Sequence, residues 1–227
     1  MSATPPTHHA LRLSRSLREI LRVAVVCLDS LQVGRDSRLV GENIEAACAA
    51  VRGGSSGPGA PVSEATVRTR RLYKWLGLVP LRERPLPERL LREIRRGRPF
   101  PRTDDLADAL RLVSLAHQFP IGCFDLDRLV LPVEIGIGRP GEMMEGSRPA
   151  ALMGRLILTD AAGPFSDMDS PYARAAAGGS TVRALVIAFA VADTPRIALE
   201  DVIRAIGEAA GEHCRGRVVE TAILPER

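Results

Sequence analysis

Two acidic residues follow a short apolar segment in the middle of the chain, where side chains can take part in chemistry. Asp125 and Asp127 come directly after Ile121–Phe124, which is apolar and strand-like. Carboxylates at the end of a buried strand can orient a base or a water molecule, and they can equally well cap the turn that follows. Both interpretations stay open on the sequence alone.

A glycine-rich loop is the second candidate for ligand contact. Gly178-Gly179-Ser180-Thr181 precedes an apolar stretch that is typical of a strand. Glycine lets backbone amides approach a ligand closely, although the same residues also suit a plain turn. The chain contains no G-x-x-x-x-G-K, H-E-x-x-H or G-x-S-x-G motif. The four cysteines have no C-x-x-C spacing, so we expect buried thiols and neither a metal nor a cofactor.

Residues 68–102 are strongly basic. They include twelve basic and three acidic residues, a local charge of +9 in a chain whose total is +4. Such asymmetry favours a polyanionic partner, of which nucleic acid is the commonest, although an arginine-rich surface exposed to solvent explains it equally well. Tyr73 and Trp75 lie in the same segment, as stacking surfaces or as core residues. The residues predicted to bind RNA are Arg68, Arg71, Lys74, Arg89, Arg92 and Arg96.

The composition predicts an aliphatic core, because 45% of residues are apolar and only 4% are aromatic. No apolar run approaches the roughly 18 residues that a membrane span requires, and the first residues lack the pattern of a secretion signal. We therefore expect a cytoplasmic protein that contacts no membrane. Residues 1–13 are expected to form a flexible tail, and residues 14–227 a single domain.

The candidate residues depend on a helix and a strand for their position. Thr103 suits the N-cap of the helix, and apolar residues recur every three or four positions from Leu106 to Ala116. Pro120 is expected to end the helix. Further helices are predicted at 36–51, 63–76, 88–96 and 197–212, and strands within 17–31, 121–124, 131–136, 152–159, 182–192 and 218–224. This order predicts an α+β fold with a central, mostly antiparallel sheet flanked by helices.

Four short motifs follow one another along residues 84–127. They are Arg84-Pro85-x-x-Glu88-x-Leu90-Leu91-Arg92, Asp105-Leu106-Ala107-Asp108, Leu112-Val113-Ser114-Leu115 and Pro120-Ile121-Gly122-Cys123-Phe124-Asp125-Leu126-Asp127. In this order they resemble the B3/B4 domain, the editing module of the bacterial phenylalanyl-tRNA synthetase β chain, and they are most similar to its free-standing members. Thr181-Val-Arg-Ala-Leu is similar to the segment that closes the family's pocket. The resemblance covers residues 60–215 and implies a B3/B4-like fold.

The resemblance implies hydrolytic editing, in which water cleaves the ester of a mischarged aminoacyl-tRNA. The synthetase domains have Thr-Asn where this chain has Leu110-Arg111, and His where it has Gly122. Their acidic residue that reads the tyrosine hydroxyl falls near Ile187 or Ala188. The residues that process tyrosine therefore do not carry over, and no residue is assigned as catalytic. The resemblance implies a substrate pocket that includes Arg111, Ser114, Gly122, Asp125, Gly179, Ser180 and Thr181.

Arg111 adds a permanent cation to this predicted pocket. It can pair with the carboxylate or phosphate of a ligand, or it can form a buried salt bridge to Asp108 or Asp125. Three functions follow. The first is a trans-editing deacylase that acts on aminoacyl-tRNA. The second is an enzyme or binding protein for a small amino-acid-like carboxylate in a specialised biosynthetic pathway, and the third is a tRNA-binding module without catalysis. The basic segment, taken with the resemblance, favours the first.

Overall fold

A computed structural model describes residues 10–54, 63–78, 84–142, 152–168 and 174–226. Within these ranges helices and strands alternate irregularly along the chain, so the predicted α+β class is confirmed. The helices are α1 (Arg38–Gly53), α2 (Glu64–Trp75), α3 (Leu86–Arg95), α4 (Asp105–His117) and α5 (Arg196–Cys214). The strands are β1 (Leu11–Leu13), β2 (Leu21–Asp29), β3 (Ile121–Asp125), β4 (Val133–Ile137), β5 (Leu156–Asp160), β6 (Gly163–Asp167), β7 (Ala184–Val191) and β8 (Arg217–Leu224).

A four-stranded antiparallel sheet forms the centre of the fold, in the order β3-β7-β2-β8. β2 and β7 occupy its middle because both are continuous apolar runs, which suit strands that are covered on both faces. Every residue of β7 is buried. β3 is an outer strand, with Gly122 opposite Ile187 and Asp125 opposite Ala184 of β7. A cavity opens at the outer edge of β3, whose C-terminal end pairs with residues 175–176.

A second four-stranded sheet, β1-β4-β5-β6, lies beside the first. The predicted tail is wrong at its end, because Leu11 and Leu13 are buried in β1, which pairs in parallel with β4. Residues 1–9 of that predicted tail lie outside the described residues. Gly163 and Pro164 begin β6, a strand in a stretch where the sequence predicted none. β6 is an edge strand, where a proline lacking an amide hydrogen is tolerated.

Helices cover one face of the central sheet and the second sheet covers the other. Val26 and Val186 face α4 and α5. Val25 and Ile187, which adjoin these two residues in their strands, face the second sheet and α2, as the two-residue period of a strand requires. α1 and α3 form an outer layer against α4, with Ile94 of α3 in their shared apolar cluster. No helix in the described part of the chain is long and apolar enough to cross a membrane.

The start of α4 corrects the predicted cap. Asp104, and not Thr103, is the N-cap residue, because its Oδ1 accepts the amide hydrogen of Ala107 at 2.8 Å. The hydroxyl of Thr103 accepts a hydrogen bond from Arg111 instead. The helix also ends before the predicted proline, at Gln118, which has a left-handed backbone conformation. These ends place the first turn of α4 beside the edge of β3.

Candidate active site

A cavity of about 630 Å³ opens beside β3, between α3, the first turns of α4 and residues 176–177. Its walls are mainly apolar. Because they come from separate parts of the chain, folding alone assembles them. A cavity of this size and character accommodates an amino-acid side chain or a similar organic group. The apolar wall residues include Leu86, Leu90, Leu106, Leu110, Ile121 and Ala177.

Arg111 lines this cavity, but a buried carboxylate already engages its guanidinium. Arg111 Nη1 donates to Asp108 Oδ1 at 2.7 Å and to the carbonyl of Pro101 at 3.2 Å, and Nη2 donates to Thr103 Oγ1 at 2.8 Å. Asp108 is 1% exposed and also pairs with Arg102 at 2.7 Å. Moving Arg111 towards a ligand would take one of two arginine partners from a buried carboxylate, which costs free energy. Of the two interpretations of Arg111, the structure shows the salt bridge, with Asp108.

Two more arginines, both exposed, line the cavity. Arg98 pairs with Glu93 at 2.7 Å, so a neighbouring carboxylate balances its charge. Arg89 projects from α3 and forms no ion pair with any residue in the described ranges. Arg89 is therefore the cation of this cavity that an anionic group of a ligand meets without competition from a described carboxylate.

Cys123 and Asp104 are the thiol and the buried carboxylate of the cavity wall. Burial raises the pKa of the Cys123 thiol, and the nearby carboxylate of Asp104 raises it further. The thiol is therefore protonated at neutral pH and is not an activated nucleophile. Asp104 is buried, and among the described carboxylates of the cavity wall it is the one without an arginine partner. This makes Asp104 the candidate group to accept a proton from water.

The structure brings two of the seven predicted pocket residues to the cavity. These are Arg111 and Gly122. Ser114 has a different role, because it is completely buried and its hydroxyl donates to the carbonyl of Phe119 at 2.6 Å. That hydrogen bond joins α4 to the chain that enters β3. The predicted residues that do not line the cavity are Ser114, Asp125, Gly179, Ser180 and Thr181.

Asp125 and Thr181 hold one wall of the cavity in place. Thr181 Oγ1 donates to Asp125 Oδ2 at 2.8 Å, and it accepts the amide hydrogen of Gly178 at 3.0 Å. The amide of Asp125 donates to the carbonyl of Ala175 at 2.9 Å. Both side chains are buried. These bonds lie on either side of Ala177, a residue of the cavity wall, so Asp125 and Thr181 position the wall without lining it.

The other acidic and glycine-rich loop residues do not line the cavity. Asp125 Oδ1 accepts the amide hydrogen of Asp127 at 3.0 Å, which is the turn-capping role that the sequence allowed for these acids. The carboxylate of Asp127 pairs with Arg183. Gly179 and Ser180 are exposed. The glycine-rich segment is therefore an exposed turn whose C-terminal residue is anchored.

Gly122 lines the cavity, but packing also requires a glycine there. A Cβ added at position 122 would lie 2.8 Å from Cζ of Phe124, two residues further along β3. The ring of Phe124 is buried and meets the edge of the Phe165 ring, with 5.2 Å between the ring centroids. The absent side chain therefore makes room for a core aromatic ring. This packing reason does not depend on a ligand.

The predicted RNA-binding residues of α2 are largely balanced by acids. Arg68 pairs with Glu64, and Arg71 pairs with Asp193. Lys74 is exposed. The two aromatic residues have different positions, since Tyr73 is completely buried whereas Trp75 is 46% exposed. The guanidinium of Arg71 lies 5.3 Å from the centroid of the Trp75 ring, a distance typical of a cation–π contact.

The predicted RNA-binding residues of α3 line two different cavities. Arg89 lines the apolar cavity, whereas Arg92 and Arg96 line a second cavity of about 550 Å³ between α2, α3 and the end of α4. Arg95, which sequence reasoning did not select, lines the second cavity as well. We call this cavity the arginine groove; its charged residues are Arg70, Arg84, Glu88, Arg92, Arg95 and Arg96.

Sequence reasoning missed Cys123, Asp104 and Arg98 as residues of one site. Cys123 was expected only to be a buried thiol, and Asp104 follows the residue that was predicted as the N-cap of α4, Thr103. A usable signal existed for Cys123, because alternation along β3 places it and Ile121 on the face opposite Phe124. Arg98 had no such signal, since it follows the end of α3 in an irregular segment.

The fold and site define an α+β protein with an apolar, ligand-sized cavity next to an arginine-lined groove. Within the described residues no group of three His, Cys, Asp or Glu side chains could hold a metal ion. A scan of the chain against protein-family models found no match, and neither did a search of curated proteins. The similarity to the B3/B4 family therefore rests on the motifs in the sequence and stays a prediction.

Proposed function

We propose that the protein is a free-standing, cytoplasmic aminoacyl-tRNA deacylase of the B3/B4 type. The observation that carries the proposal is the position of α3, because its residues line both the apolar cavity and the arginine groove. A ligand that fits both would have an organic group attached covalently to a polyanion. Aminoacyl-tRNA has this construction, with the amino acid esterified to the terminal ribose of the RNA.

Arg89 and the apolar walls supply the binding in this proposal. The amino-acid side chain enters the cavity, where Leu90 and Leu110 replace water around it. Arg89 pairs with the phosphate nearest the esterified ribose, since no described carboxylate competes for it. Arg111 shapes the wall but leaves its charge with Asp108. In this proposal the ester is positioned by the apolar contact of the amino-acid side chain with the cavity and by the ion pair between Arg89 and the phosphate.

Asp104 supplies the proton transfer in this proposal. It accepts a proton from a water molecule whose oxygen attacks the ester carbonyl carbon. The bond between that carbon and the ribose oxygen then breaks, and the proton passes to the ribose oxygen. The products are the free amino acid and deacylated tRNA, so that one water is consumed for each ester. Cys123 takes no part as a nucleophile, because its thiol remains protonated.

The two alternative functions make different demands on the site. A small carboxylate ligand was suggested by Arg111, and the pairing of Arg111 with Asp108 weakens that suggestion. A tRNA-binding module without catalysis needs the basic surface but no proton acceptor at the ester. It would bind tRNA and leave the ester intact, so a measurement of both properties separates the three functions.

The test is ester hydrolysis with a panel of mischarged tRNAs that carry radiolabelled amino acids. Asp104→Asn should lower the rate of deacylation by about 100-fold or more, because it removes the proton acceptor. Asparagine is also a good N-cap residue, so α4 should remain folded. Ala107→Trp should block the cavity, whereas Ala49→Trp places the same side chain on the exposed part of α1 as a control.

Each result has a definite meaning. Deacylation by the wild type, lost in Ala107→Trp and kept in Ala49→Trp, supports the proposal. A wild type that binds tRNA but hydrolyses none of the esters would show a binding module instead. Absence of both tRNA binding and deacylation would refute the proposed function. Full activity in Asp104→Asn would refute only the role of Asp104.

A further inference from the structure

The arginine groove is a charged cavity that the hydrolytic chemistry does not use. It lies between α2, α3 and the C-terminal end of α4, with a volume of about 550 Å³. Five of its residues are arginines, and its one described acidic residue is Glu88. An unbalanced concentration of positive charge in a concave surface creates a strong local potential for anions.

Glu88 balances only part of this charge, because its carboxylate already pairs with two of the five arginines. Arg70 binds it with two hydrogen bonds of 2.8 Å, and Arg84 Nη1 donates to the same carboxylate at 2.7 Å. Glu88 is buried, with 8% of its side chain exposed. These three residues form a fixed floor with a net charge of +1. Within the described residues Glu88 forms no ion pair with the other three arginines of the groove.

Three further arginines stand along the α3 side of the groove. Arg95 and Arg96 follow Arg92 by three and four residues, so both lie about one helical turn from Arg92 on the same surface. Arg96 approaches Glu93 only at 3.6 Å, and Glu93 also pairs with Arg98 at 2.7 Å. Within the described ranges Arg92 and Arg95 form no ion pair. Like charges held this close repel one another, and a bound anion would relieve the repulsion.

Two neutral polar side chains of the groove, Thr66 and Gln118, form hydrogen bonds within the protein. Thr66 Oγ1 donates to Gln118 Oε1 at 2.9 Å, and Gln118 Nε2 donates to the carbonyl of Leu115 at 2.6 Å. Both Thr66 and Gln118 are buried. These two side chains are hydrogen-bonded within the protein and make no hydrogen bond to the arginines of the groove. Most of the unbalanced charge of the groove therefore comes from Arg92, Arg95 and Arg96 on its α3 side.

We propose that the arginine groove binds phosphate groups of the RNA whose aminoacyl end occupies the apolar cavity. This inference rests on the proposed function and extends it by assigning the surface that holds the RNA backbone. Arg89 and Arg96 are seven residues apart, about 10 Å along the helix axis at 1.5 Å per residue. The backbone would cross α3 from the cavity into the groove. Guanidinium groups suit this role because they bind phosphate bidentately.

The test compares two double variants that change the net charge equally. Arg92→Gln with Arg95→Gln removes two cations from the groove. Arg196→Gln with Arg204→Gln removes two exposed cations from α5. RNA binding is measured by fluorescence anisotropy with a labelled hairpin that ends in an unpaired 3′ strand, over a series of salt concentrations. Pyrophosphate alone is the second probe.

We expect the groove variant to bind the hairpin at least 10-fold more weakly than the wild type. Its slope of log affinity against log salt should also be smaller in magnitude by about 1.4, since each lost contact to single-stranded RNA removes about 0.7. The α5 variant should change both quantities much less. Pyrophosphate should compete with the hairpin on the wild type and fail to bind the groove variant.

A minimal ester separates this inference from the proposed function. An aminoacyl-adenosine carries the ester but no phosphate that reaches the groove, so the wild type and the groove variant should hydrolyse it equally. If the groove variant binds the hairpin as well as the α5 variant does, the inference is refuted, even when deacylation is normal. If the groove binds pyrophosphate but the wild type binds no RNA, the RNA assignment is refuted.

Discussion

Glu88→Gln tests the interpretation of the arginine groove, because it should change stability and RNA binding in opposite directions. The carboxylate of Glu88 accepts three hydrogen bonds from Arg70 and Arg84. Glutamine keeps one acceptor oxygen and points its amide donors at a guanidinium. Breaking one side of a buried ion pair costs about 3–5 kcal/mol. We expect about 3 kcal/mol, the lower end, because both arginines are partly exposed to solvent.

The assay is reversible urea unfolding followed by circular dichroism and fluorescence, with thermal unfolding as a second measure. A loss of about 3 kcal/mol corresponds to a fall in Tm of about 6–12 °C for a chain of this length. The control is Glu42→Gln, which breaks an exposed pair with Arg38 and should cost less than about 0.5 kcal/mol. Affinity for the RNA hairpin should rise in Glu88→Gln, because the groove gains a net positive charge.

The pH dependence supplies an independent test of the same residue. The hydrogen bonds from Arg70 hold the pKa of Glu88 below its ordinary value. The stabilisation is therefore complete above the pKa of an unfolded glutamate, about 4.3, and is lost as the pH falls through the lower folded pKa. The difference between wild type and Glu88→Gln should shrink in that acidic range. Equal stability of the two proteins at pH 7 would refute the reasoning.

Three further predictions concern the cavity wall. Thr181→Val should destabilise the fold by about 1–3 kcal/mol, because a buried oxygen of Asp125 loses its 2.8 Å hydrogen bond and keeps only the 3.5 Å contact with Arg128; hydrogen exchange at residues 175–178 should accelerate, and unchanged exchange would contradict the anchoring role. Gly122→Ala should cost about 1–3 kcal/mol in urea unfolding through overlap with the ring of Phe124, and a neutral effect would show that the ring moves easily. Because burial raises the pKa of Cys123, iodoacetamide should modify it at pH 8 at least about 10-fold more slowly than free cysteine; rapid labelling in peptide mapping would contradict this.

Much of the fold was predictable, because its signals are local. Helix α4 follows the three- and four-residue spacing of Leu106, Leu110 and Val113. Strands β2 and β7 are continuous apolar runs that suit the middle of a sheet. The sequence failed to predict two strands, β1 and β6, because the local signals there do not indicate a strand. β1 has three residues and is stabilised by a distant partner, β4, while Gly163 and Pro164 indicate a turn unless an edge strand is available.

The predicted pocket shows that single contacts between residues far apart in sequence are not predictable from local signals either. Arg111 and Asp108 are three positions apart on one helix, so their pairing was among the alternatives that the sequence offered. Thr181 and Asp125 are 56 positions apart, and only the sheet register brings them to 2.8 Å. Their contact turned a predicted ligand site into a structural anchor. The residue types indicated which side chains could bind a ligand, whereas the contacts in the fold showed which of them already bind another residue.

By itself, the sequence determined the α+β class, the main helices and strands, and the concentration of arginine in residues 68–102. Those properties depend on periodicity and composition, which neighbouring residues set. Only the tertiary structure decided which arginines are balanced, such as Arg71 by Asp193 from 122 positions away, and which remain available, such as Arg89 and Arg92. The physical reason is that ion pairing depends on distance in space, and packing between distant segments sets that distance.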